Sequence, residues 1–408
     1  MARERTEAER SNGRDVMNTR EIAKGTYWTG AVDWDRRLFD SLIPLPDGTS
    51  YNAYLVRGSE KTALVDTVDP SMSGVLLSHL QGVPQIDLVI AQHAEQDHSG
   101  SIPIVLDRYP RAAVVTTPKG KGMLTGLMAI AEERIITVED GDTLSLGDKT
   151  LKFIHMPWVH WPETMLTYLQ EDRILFTCDL FGSHLATDDL YVVDEERVFK
   201  AARRYYAEIM MPLRSMILRN LPKVEAVDVA VIAPSHGPLY DKPEPIVDAY
   251  RQWLSGESKN VVALAYVSMH GSTQNMITYF VDALTNRGVA AEAFDLTACD
   301  IGDLAATLVD AATVVLGTPT VLGGPHPTVV AGAYLINTLR PPIQFASVIA
   351  SYGWGGKAVE QLAEIISGLK AEMLSPVLCK GLPKEADFRA LDTLAVAIAD
   401  KHKERNLM

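Results

Sequence analysis

The feature that most constrains the fold of this chain is a dense polar cluster placed directly after an apolar, strand-like run. Residues 86–91 form the run, and residues 92–100, QHAEQDHSG, follow it with two histidines and two carboxylates within six residues. A turn after a strand aims such side chains at a common point, and mixed nitrogen and oxygen donors suit first-row transition metals. The cluster therefore predicts a metal site at the end of a strand.

Three further candidate ligands follow, each at or just beyond the end of a predicted strand. They are His160 in MPWVHWPETM, Asp179 in ILFTCDLFG and His236 in VIAPSHGP. A single histidine or aspartate in such a place is more often structural or solvated than a metal ligand. Because the three accompany the cluster in similar settings, we interpret them as parts of the same metal site.

The order of these motifs resembles that of the metallo-β-lactamase superfamily, and the resemblance covers the whole first half of the chain. Hydrolases of that superfamily usually have His-x-His-x-Asp-His and bind zinc, whereas Glu95 stands at the second position here. A carboxylate in place of an imidazole makes the site harder and more anionic, which favours ferric iron over zinc. His-x-Glu-x-Asp-His is the pattern of the flavodiiron proteins, which this chain resembles.

The resemblance implies a non-haem di-iron centre whose seven expected ligands are all present. One iron would be bound by His93, Glu95 and His160, the other by Asp97, His98 and His236, with Asp179 bridging the two. His184, just after Asp179 in DLFGSH, and Tyr206 are further candidates near the irons; the resemblance suggests that one of Tyr205 and Tyr206 lies there. His184 would donate a hydrogen bond or shape the substrate pocket, and core packing is the alternative for Tyr206.

The second half of the chain alternates strand-like and helical segments, as a parallel sheet requires. Apolar runs at residues 261–267, 312–316 and 345–350 alternate with helical stretches such as 274–286 and 358–369. The first run leads into a small-residue loop that opens a helix, and this arrangement aims backbone N–H groups and hydroxyls at a phosphate. The loop lacks the lysine of the nucleoside triphosphatase phosphate loop.

This loop resembles the phosphate loop of flavodoxins, which bind FMN largely with neutral donors. Two later loops follow later strands, and in a doubly wound sheet the strand ends share one edge where ligands bind. Tyr352 and Trp354 would cover the isoalloxazine ring. The predicted FMN contacts are Ser268, Met269, His270, Gly271, Ser272, Thr273, Thr318, Pro319, Thr320, Ser351, Tyr352, Gly353, Trp354 and Gly355.

We therefore predict an α/β protein with two unrelated modules. Residues 1–21 are interpreted as a flexible tail, 22–256 as a metallo-β-lactamase-like αββα sandwich, and 257–408 as a flavodoxin-like doubly wound parallel sheet. The polar segment 255–260 is interpreted as the linker between them. A length of 408 residues fits this division better than one typical domain.

Charge and cysteine content limit the partners. The net charge of -14 disfavours a nucleic-acid backbone or an anionic membrane surface. No apolar run is long enough to span a membrane, and the N-terminus is charged where a signal peptide is apolar, so we expect a cytoplasmic protein. The 3 cysteines are widely spaced and form no CxxC pair, so any rubredoxin-like electron donor must be a separate protein.

The resemblance implies an oxidoreductase that passes electrons from an external donor through FMN to the two irons, where dioxygen is reduced to water or nitric oxide to nitrous oxide. Rubredoxin, a reduced deazaflavin and another flavoprotein are the candidate donors. The implied assembly is a head-to-tail homodimer or a dimer of such dimers, in which FMN of one subunit serves the irons of the other.

Two alternatives belong to other functional classes. The first is a dizinc hydrolase of the metallo-β-lactamase superfamily with an appended flavodoxin-like domain. The second is an electron-transfer or redox-sensing flavoprotein whose lactamase-like half binds a partner. Glu95 argues against the hydrolase, and the complete ligand set argues against a protein without catalysis.

Overall fold

A computed structural model of the protein describes residues 19–408, and most of the predicted tail lies outside them. The last residues of that predicted tail belong to the first strand, Arg20–Ala23. Contacts divide the chain into two compact units, each built from several segments. Unit 1 includes Asp47–Glu195 and Asn220–Pro243, and unit 2 includes Arg37–Pro46, Glu196–Arg219 and Glu244–Met408.

Unit 1 is built on two β-sheets. The 7-stranded sheet has the order Arg20–Ala23, Thr26–Trp28, Tyr54–Arg57, Thr62–Val65, Leu88–Ile90, Ala113–Thr116 and Ile135–Thr137. Its first strands pair antiparallel and its last strands pair parallel. The 5-stranded sheet has the order Thr143–Ser145, Thr150–His155, Met165–Leu169, Ile174–Cys178 and Val231–Pro234. Strands Ala31–Asp33 and Thr49–Tyr51 pair separately.

Apolar residues alternate along the strands of the larger sheet, so both of its faces are apolar and buried. Val65 and Ile90 point towards the smaller sheet and pack in one core with Phe153. Leu64 and Val89, one position away in each strand, point to the opposite face and pack against helices. The helices of this unit are Ser73–His79, Gln96–Ser99, Ile102–Arg108 and Pro118–Met128, with short 3-10 turns at Pro70–Met72 and Glu132–Arg134.

Residues 220–225, the second half of helix Arg214–Glu225, belong to unit 1 and lie against its smaller sheet. Lys223, in the helix Arg214–Glu225, donates a hydrogen bond of 2.7 Å to the backbone carbonyl of His155. The layers of unit 1 are thus helix, sheet, sheet and helix. The predicted αββα class is confirmed for this part of the chain.

Unit 2 is built on a parallel sheet with helices on both faces. Its strand order is Ala290–Asp295, Lys259–Tyr266, Ala311–Val321, Phe345–Tyr352 and Glu372–Met373, with Val377–Lys380 also on Phe345–Tyr352 and Gly324–Pro325 on Ala311–Val321. Helices Ser272–Thr285 and Glu385–Glu404 cover one face, and Ile301–Leu308, Pro327–Leu339 and Ala358–Ile365 cover the other. This is the predicted doubly wound fold, which is also confirmed.

Further elements of unit 2 come from earlier segments of the chain. They are strands Leu38–Phe39 and Ile43–Pro44, helix Glu195–Tyr205, a π-helical turn Tyr206–Met210, a 3-10 turn Met211–Leu213, much of helix Arg214–Glu225, and helix Pro243–Ser255. The predicted domain boundary after residue 256 stays a prediction, because compactness by contacts and independent folding are different properties. None of the helices within residues 19–408 is both long and apolar enough to cross a membrane.

A buried histidine makes the stability of unit 2 depend on pH. His402 is fully buried, and its ring nitrogens lie 2.7 Å from Thr313 Oγ1 and 2.8 Å from Asn260 Oδ1. Burial lowers the pKa of His402 to about 4. Between the unfolded value near 6.5 and this folded value the unfolded chain binds the extra proton, so the stabilisation is complete above pH 6.5 and is lost as the pH falls.

We expect the free energy of unfolding contributed by His402 to fall by about 2.5 kcal/mol between pH 7 and pH 4.5. His402→Gln keeps one donor and one acceptor but does not titrate. The thermal unfolding midpoint of the wild type should therefore drop more steeply over this pH range than that of His402→Gln. Equal slopes would contradict the assignment, because all other titrating groups are the same in both proteins.

Candidate metal centre and flavin site

The predicted metal ligands all lie at the carboxyl ends of strands in unit 1. The cluster of residues 93–98 follows strand Leu88–Ile90 and includes the short helix Gln96–Ser99. Asp179 directly follows strand Ile174–Cys178, and His236 follows strand Val231–Pro234. His160 lies in the loop that joins strands Thr150–His155 and Met165–Leu169. The two sheets thus bring four separate loops to one place.

One group of donor atoms is formed by His93, Glu95, His160 and Asp179. Nε2 of His93 lies 3.1 Å from Glu95 Oε2 and 3.2 Å from Nε2 of His160. Nε2 of His160 also lies 3.1 Å from Glu95 Oε2 and 3.4 Å from Asp179 Oδ2. Four donor atoms from distant parts of the sequence therefore face a common centre.

A second group is formed by Asp97, His98, His236 and the same Asp179. Asp179 Oδ1 lies 3.1 Å from Nε2 of His98 and 3.3 Å from Nε2 of His236. Oδ1 of Asp97 lies 3.3 Å from Nε2 of His98, and Oδ2 of Asp97 lies 3.2 Å from Nε2 of His236. Asp179 thus presents one oxygen to each group, which is the geometry of a carboxylate shared by two cations. The structure brings together all seven residues predicted as ligands.

The donor set fits metal ions, and several of its buried atoms lack good hydrogen bonds within the protein. Asp97 and His98 are buried, and within residues 19–408 neither oxygen of Asp97 nor Nε2 of His98 makes a well-aligned hydrogen bond, although each lies 3.1 to 3.3 Å from another donor atom of the group. A buried polar atom left in this way is costly unless something else binds it. Imidazole and carboxylate donors in this proportion suit iron and other first-row transition metals.

Charges within the groups stabilise one another. Burial by itself would raise the pKa of Asp179, but the field of His98 and hydrogen bonds from His160 and His236 hold it well below its usual range. Burial would lower the pKa of the histidines, yet hydrogen bonds to Asp179 and its neighbouring carboxylates raise it to about 10 for His160 and to about 9 for His236. A cation that enters must displace these protons.

Three supporting residues lie behind the donor groups and were not singled out from the sequence. Glu163 Oε1 lies 2.7 Å from Nδ1 of His93, and the backbone carbonyl of Ser50 lies 2.7 Å from Nδ1 of His236. Asp66 accepts hydrogen bonds of 2.9 Å from both the backbone and the side chain of Gln92. Glu163 and the Ser50 carbonyl orient the two rings so that Nε2 faces the metal position, while Asp66 fixes the residue before His93. The only local signal was the place of Glu163 three residues after His160.

The two residues predicted near the metal centre are placed differently. His184 is half-buried, its Nδ1 lies 2.9 Å from Thr49 Oγ1, and its ring lies 4.8 Å from that of His236. Tyr206 belongs to unit 2, where its hydroxyl donates to the backbone carbonyl of Trp253 at 3.1 Å. The described contacts of Tyr206 are those of core packing. A role for either residue beside the metal stays a prediction.

Unit 2 contains a cavity of about 290 Å³ at the carboxyl edge of its sheet. Most of the predicted flavin contacts line it: Ser268, Met269, His270, Ser272, Thr273, Pro319, Thr320, Ser351, Tyr352, Gly353 and Trp354. Gly381, which was not predicted, lines it as well, whereas Gly271, Thr318 and Gly355 do not. Thr318 is buried, and its hydroxyl bonds the carbonyl of Pro319 and the N–H of His326.

The start of a helix lines this cavity through Ser272 and Thr273. Helix Ser272–Thr285 begins after Gly271, whose φ of 86° is in the left-handed region that favours glycine. Ser268 accepts a hydrogen bond from the backbone N–H of Gln274 at 3.1 Å, and Thr273 bonds Ser351 at 3.1 Å. These neutral groups and the helix N-terminus fit an anionic ligand such as a flavin phosphate.

Comparisons with known proteins are consistent with the fold and with both candidate sites. Residues 49–237 match a family model described as the ODP family beta lactamase. The chain is 34% identical over 363 residues to the nitric oxide reductase of Moorella thermoacetica, and the alignment covers 87% of this chain and 91% of that protein. The structure of rubredoxin oxygen:oxidoreductase from Desulfovibrio gigas is similar with a TM-score of 0.92 and 30% identity, covering 96% of this chain and 100% of that chain.

The flavodiiron protein from Giardia intestinalis has a TM-score of 0.86 at 27% identity, with 94% of this chain and 98% of that chain covered. Fold and sites define a protein that joins a metallo-β-lactamase-like unit to a flavodoxin-like unit. The chain belongs to the flavodiiron protein family. It is accordingly an oxidoreductase, and membership of this family implies a flavin and iron as its cofactors.

Proposed function

We propose that the chain passes electrons from an external donor through FMN to a centre of two iron ions, which reduces dioxygen to water or nitric oxide to nitrous oxide. The observation that carries this proposal is the placement of Asp179, with Oδ2 in one donor group and Oδ1 in the other. The names of the similar proteins from Moorella thermoacetica and Desulfovibrio gigas refer to nitric oxide and to oxygen, and they support the same chemistry.

In this proposal each donor group binds one iron. His93, Glu95 and His160 would hold the first, Asp97, His98 and His236 would hold the second, and Asp179 would supply one oxygen to each. Two irons and one flavin together store up to four electrons when loaded, enough to take dioxygen to water, and two electrons suffice to couple two molecules of nitric oxide. The protein residues would hold the ions and exclude bulk water, because five of these seven side chains are buried and the other two, Glu95 and His160, are partly buried.

The flavin is proposed to be FMN, with its phosphate at the N-terminus of helix Ser272–Thr285. The cavity is lined by side-chain hydroxyls and the start of this helix, and also by Tyr352 and Trp354. A single phosphate fits the short loop, which has no lysine for a terminal phosphate. The aromatic side chains would contact the isoalloxazine ring.

Replacing Trp354 by alanine is expected to weaken FMN binding by about 3- to 10-fold, the range of one aromatic contact. The side chain is 93% exposed, so the free energy of unfolding should change by no more than about 0.5 kcal/mol. Trp34→Ala is the matched control, since Trp34 is 49% exposed and lies in the other unit. Titration of flavin-free protein with FMN, followed by flavin fluorescence, should separate the two variants; equal affinities would contradict the assigned contact.

The hydrolase alternative is less favoured because Glu95 takes part in the first donor group. Its carboxylate lies 3.1 Å from both His93 and His160, where the hydrolases of this superfamily usually have a third imidazole. A hydrolytic dizinc site needs a metal-bound hydroxide and no flavin, whereas the second unit here has a cavity suited to one.

The donor and the assembly stay predictions. Rubredoxin is named in the similar protein from Desulfovibrio gigas, and we propose it as one donor, with a reduced deazaflavin or another flavoprotein as the others. We also propose the head-to-tail homodimer, alone or as a dimer of dimers, with a cytoplasmic location.

The test is the cofactor content of the purified chain, followed by anaerobic reduction and mixing with dioxygen or nitric oxide while flavin reoxidation is timed. We expect two irons and one FMN per chain and fast reoxidation by at least one gas. The faster gas names the preferred substrate. Zinc in place of iron, with no reaction with either gas, would overturn the proposal in favour of the hydrolase.

A further inference from the structure

One buried carboxylate contacts a proposed iron ligand on the side that faces away from the metal position. The side chain of Glu163 has no exposed surface, and its Oε1 lies 2.7 Å from Nδ1 of His93. Nε2 of the same ring lies 3.1 Å from Glu95 and 3.7 Å from Asp179. An imidazole that binds a metal through Nε2 carries its hydrogen on Nδ1, so His93 donates this bond to Glu163.

Glu163 is itself held in place by the surrounding backbone. The N–H of Ala94, next to His93, donates to the same oxygen at 2.9 Å. Thr117 Oγ1 donates to the backbone carbonyl of Glu163 at 3.0 Å. The N–H of Met165 donates to the carbonyl of Gln92 at 3.0 Å, so the loop that carries Glu163 is tied to the loop that carries His93.

The same loop contacts the ring of His93 in two further places. The ring of Trp161 meets it edge-on with centroids 4.9 Å apart, and the ring of His160 meets it with centroids 4.8 Å apart. His160 and Glu163 are three residues apart in the chain. One short loop therefore carries both His160, a second proposed ligand of the first group, and Glu163, the residue that contacts His93. The orientations of His93 and His160 are therefore set together.

The second oxygen of Glu163 is not used in the contact with His93. Within residues 19–408, Oε2 is buried and has no hydrogen-bond partner. Glu163 lines a cavity of about 260 Å³ together with Lys119, Glu139 and His155. A glutamine has the same size, so its carbonyl would replace Oε1 while its amide takes the place of Oε2. Glu163→Gln therefore keeps the bond to His93 and removes only the charge.

We propose that Glu163 is a positioning residue of the iron centre, which fixes the ring of His93 and makes its Nε2 a stronger donor to iron. The inference rests on the proposed function, since it requires that His93 binds iron. Loss of an outer partner of this kind typically lowers metal affinity by about 10- to 100-fold. Loss of its charge alone should move the iron reduction potential to a more positive value, because a nearby negative charge stabilises ferric iron more than ferrous iron.

The experiment uses the full chain with iron and FMN restored under anaerobic conditions. Iron retention is measured against increasing concentrations of a chelator, and the reduction potential is followed by the electron paramagnetic resonance signal of the half-reduced centre. We expect Glu163→Leu to bind iron about 10- to 100-fold more weakly. We expect Glu163→Gln to retain iron nearly as the wild type does, with a more positive potential. Glu139→Gln, on the exposed rim of the same cavity, should change neither quantity.

The proposal is overturned if Glu163→Leu retains iron as the wild type does, or if Glu163→Gln and Glu139→Gln have the same potential. Where Glu163→Leu does not fold, the comparison of these two glutamine variants decides alone. His93→Ala separates this result from a failure of the proposed function. If His93→Ala also retains iron with an unchanged signal, His93 is no ligand and the proposed function fails with it.

Discussion

Asp179→Asn is expected to lose iron and to reduce gas at least about 1,000-fold more slowly than the wild type. This effect is larger than that of replacing a residue that only orients a metal ligand. In the wild type, Oδ2 of Asp179 faces His160 at 3.4 Å and Oδ1 faces His98 at 3.1 Å. An asparagine of the same size keeps one oxygen, but its NH₂ group is a donor and has no lone pair for a cation. One of the two groups is therefore left without its shared ligand whichever way the amide turns.

The measurement is iron per chain by elemental analysis, together with the reoxidation rate of the reduced protein. Asp228→Asn is the matched control, because that aspartate side chain is 75% exposed and its described ion pair is with Arg173 at the surface. We expect the control to retain iron and rate within error. Two irons and an undiminished rate in Asp179→Asn would show that Asp179 is not the shared ligand.

Ser272→Asp is expected to lower the affinity for FMN by about 1,000-fold while the fold stays intact. Ser272 is the first residue of helix Ser272–Thr285 and lines the flavin cavity. A carboxylate in the first turn of a helix is favourable for the helix itself. It would stand beside the phosphate, however, and two like charges about 4 Å apart repel by about 4 kcal/mol at an effective dielectric constant of about 20, which corresponds to about 1,000-fold in affinity.

Ser272→Asn separates charge from size, since asparagine has the shape of aspartate without its charge. We expect it to bind FMN far more tightly than Ser272→Asp in the same fluorescence titration of flavin-free protein. The free energy of unfolding of the flavin-free protein should be equal or slightly higher in Ser272→Asp than in the wild type. Equal FMN affinities of the two variants would place the phosphate elsewhere.

Much of the fold was predictable because its signals are local. The apolar run at 261–267 predicted the strand Lys259–Tyr266, and the helical stretch at 274–286 predicted the helix Ser272–Thr285. Hydrophobic periodicity and small-residue loops depend on neighbouring residues, so they can be read without the rest of the chain. The same holds for the cluster of residues 93–98, whose spacing indicated a site before its surroundings were known.

The set of chain segments that form unit 2 was not predictable in this way. Residues 196–219 group with it although they precede the predicted boundary. Arg203 bonds Asp310 across 107 positions, and Arg204 bonds Asp300 across 96 positions. Ion pairs between residues so far apart leave no periodic pattern in the sequence. Only the folded chain decides which arginine meets which carboxylate.

The sequence by itself determined the class of protein, the order of its modules and the residues that could serve as ligands, because chemical type and local spacing are properties of the chain. The tertiary structure decided the arrangement of those ligands. It placed the two oxygens of Asp179 towards different donor groups. It also brought Glu163 to His93 across 70 positions. Such contacts depend on how the sheets pack and on which loops meet at their edges, and no short stretch of sequence contains that information.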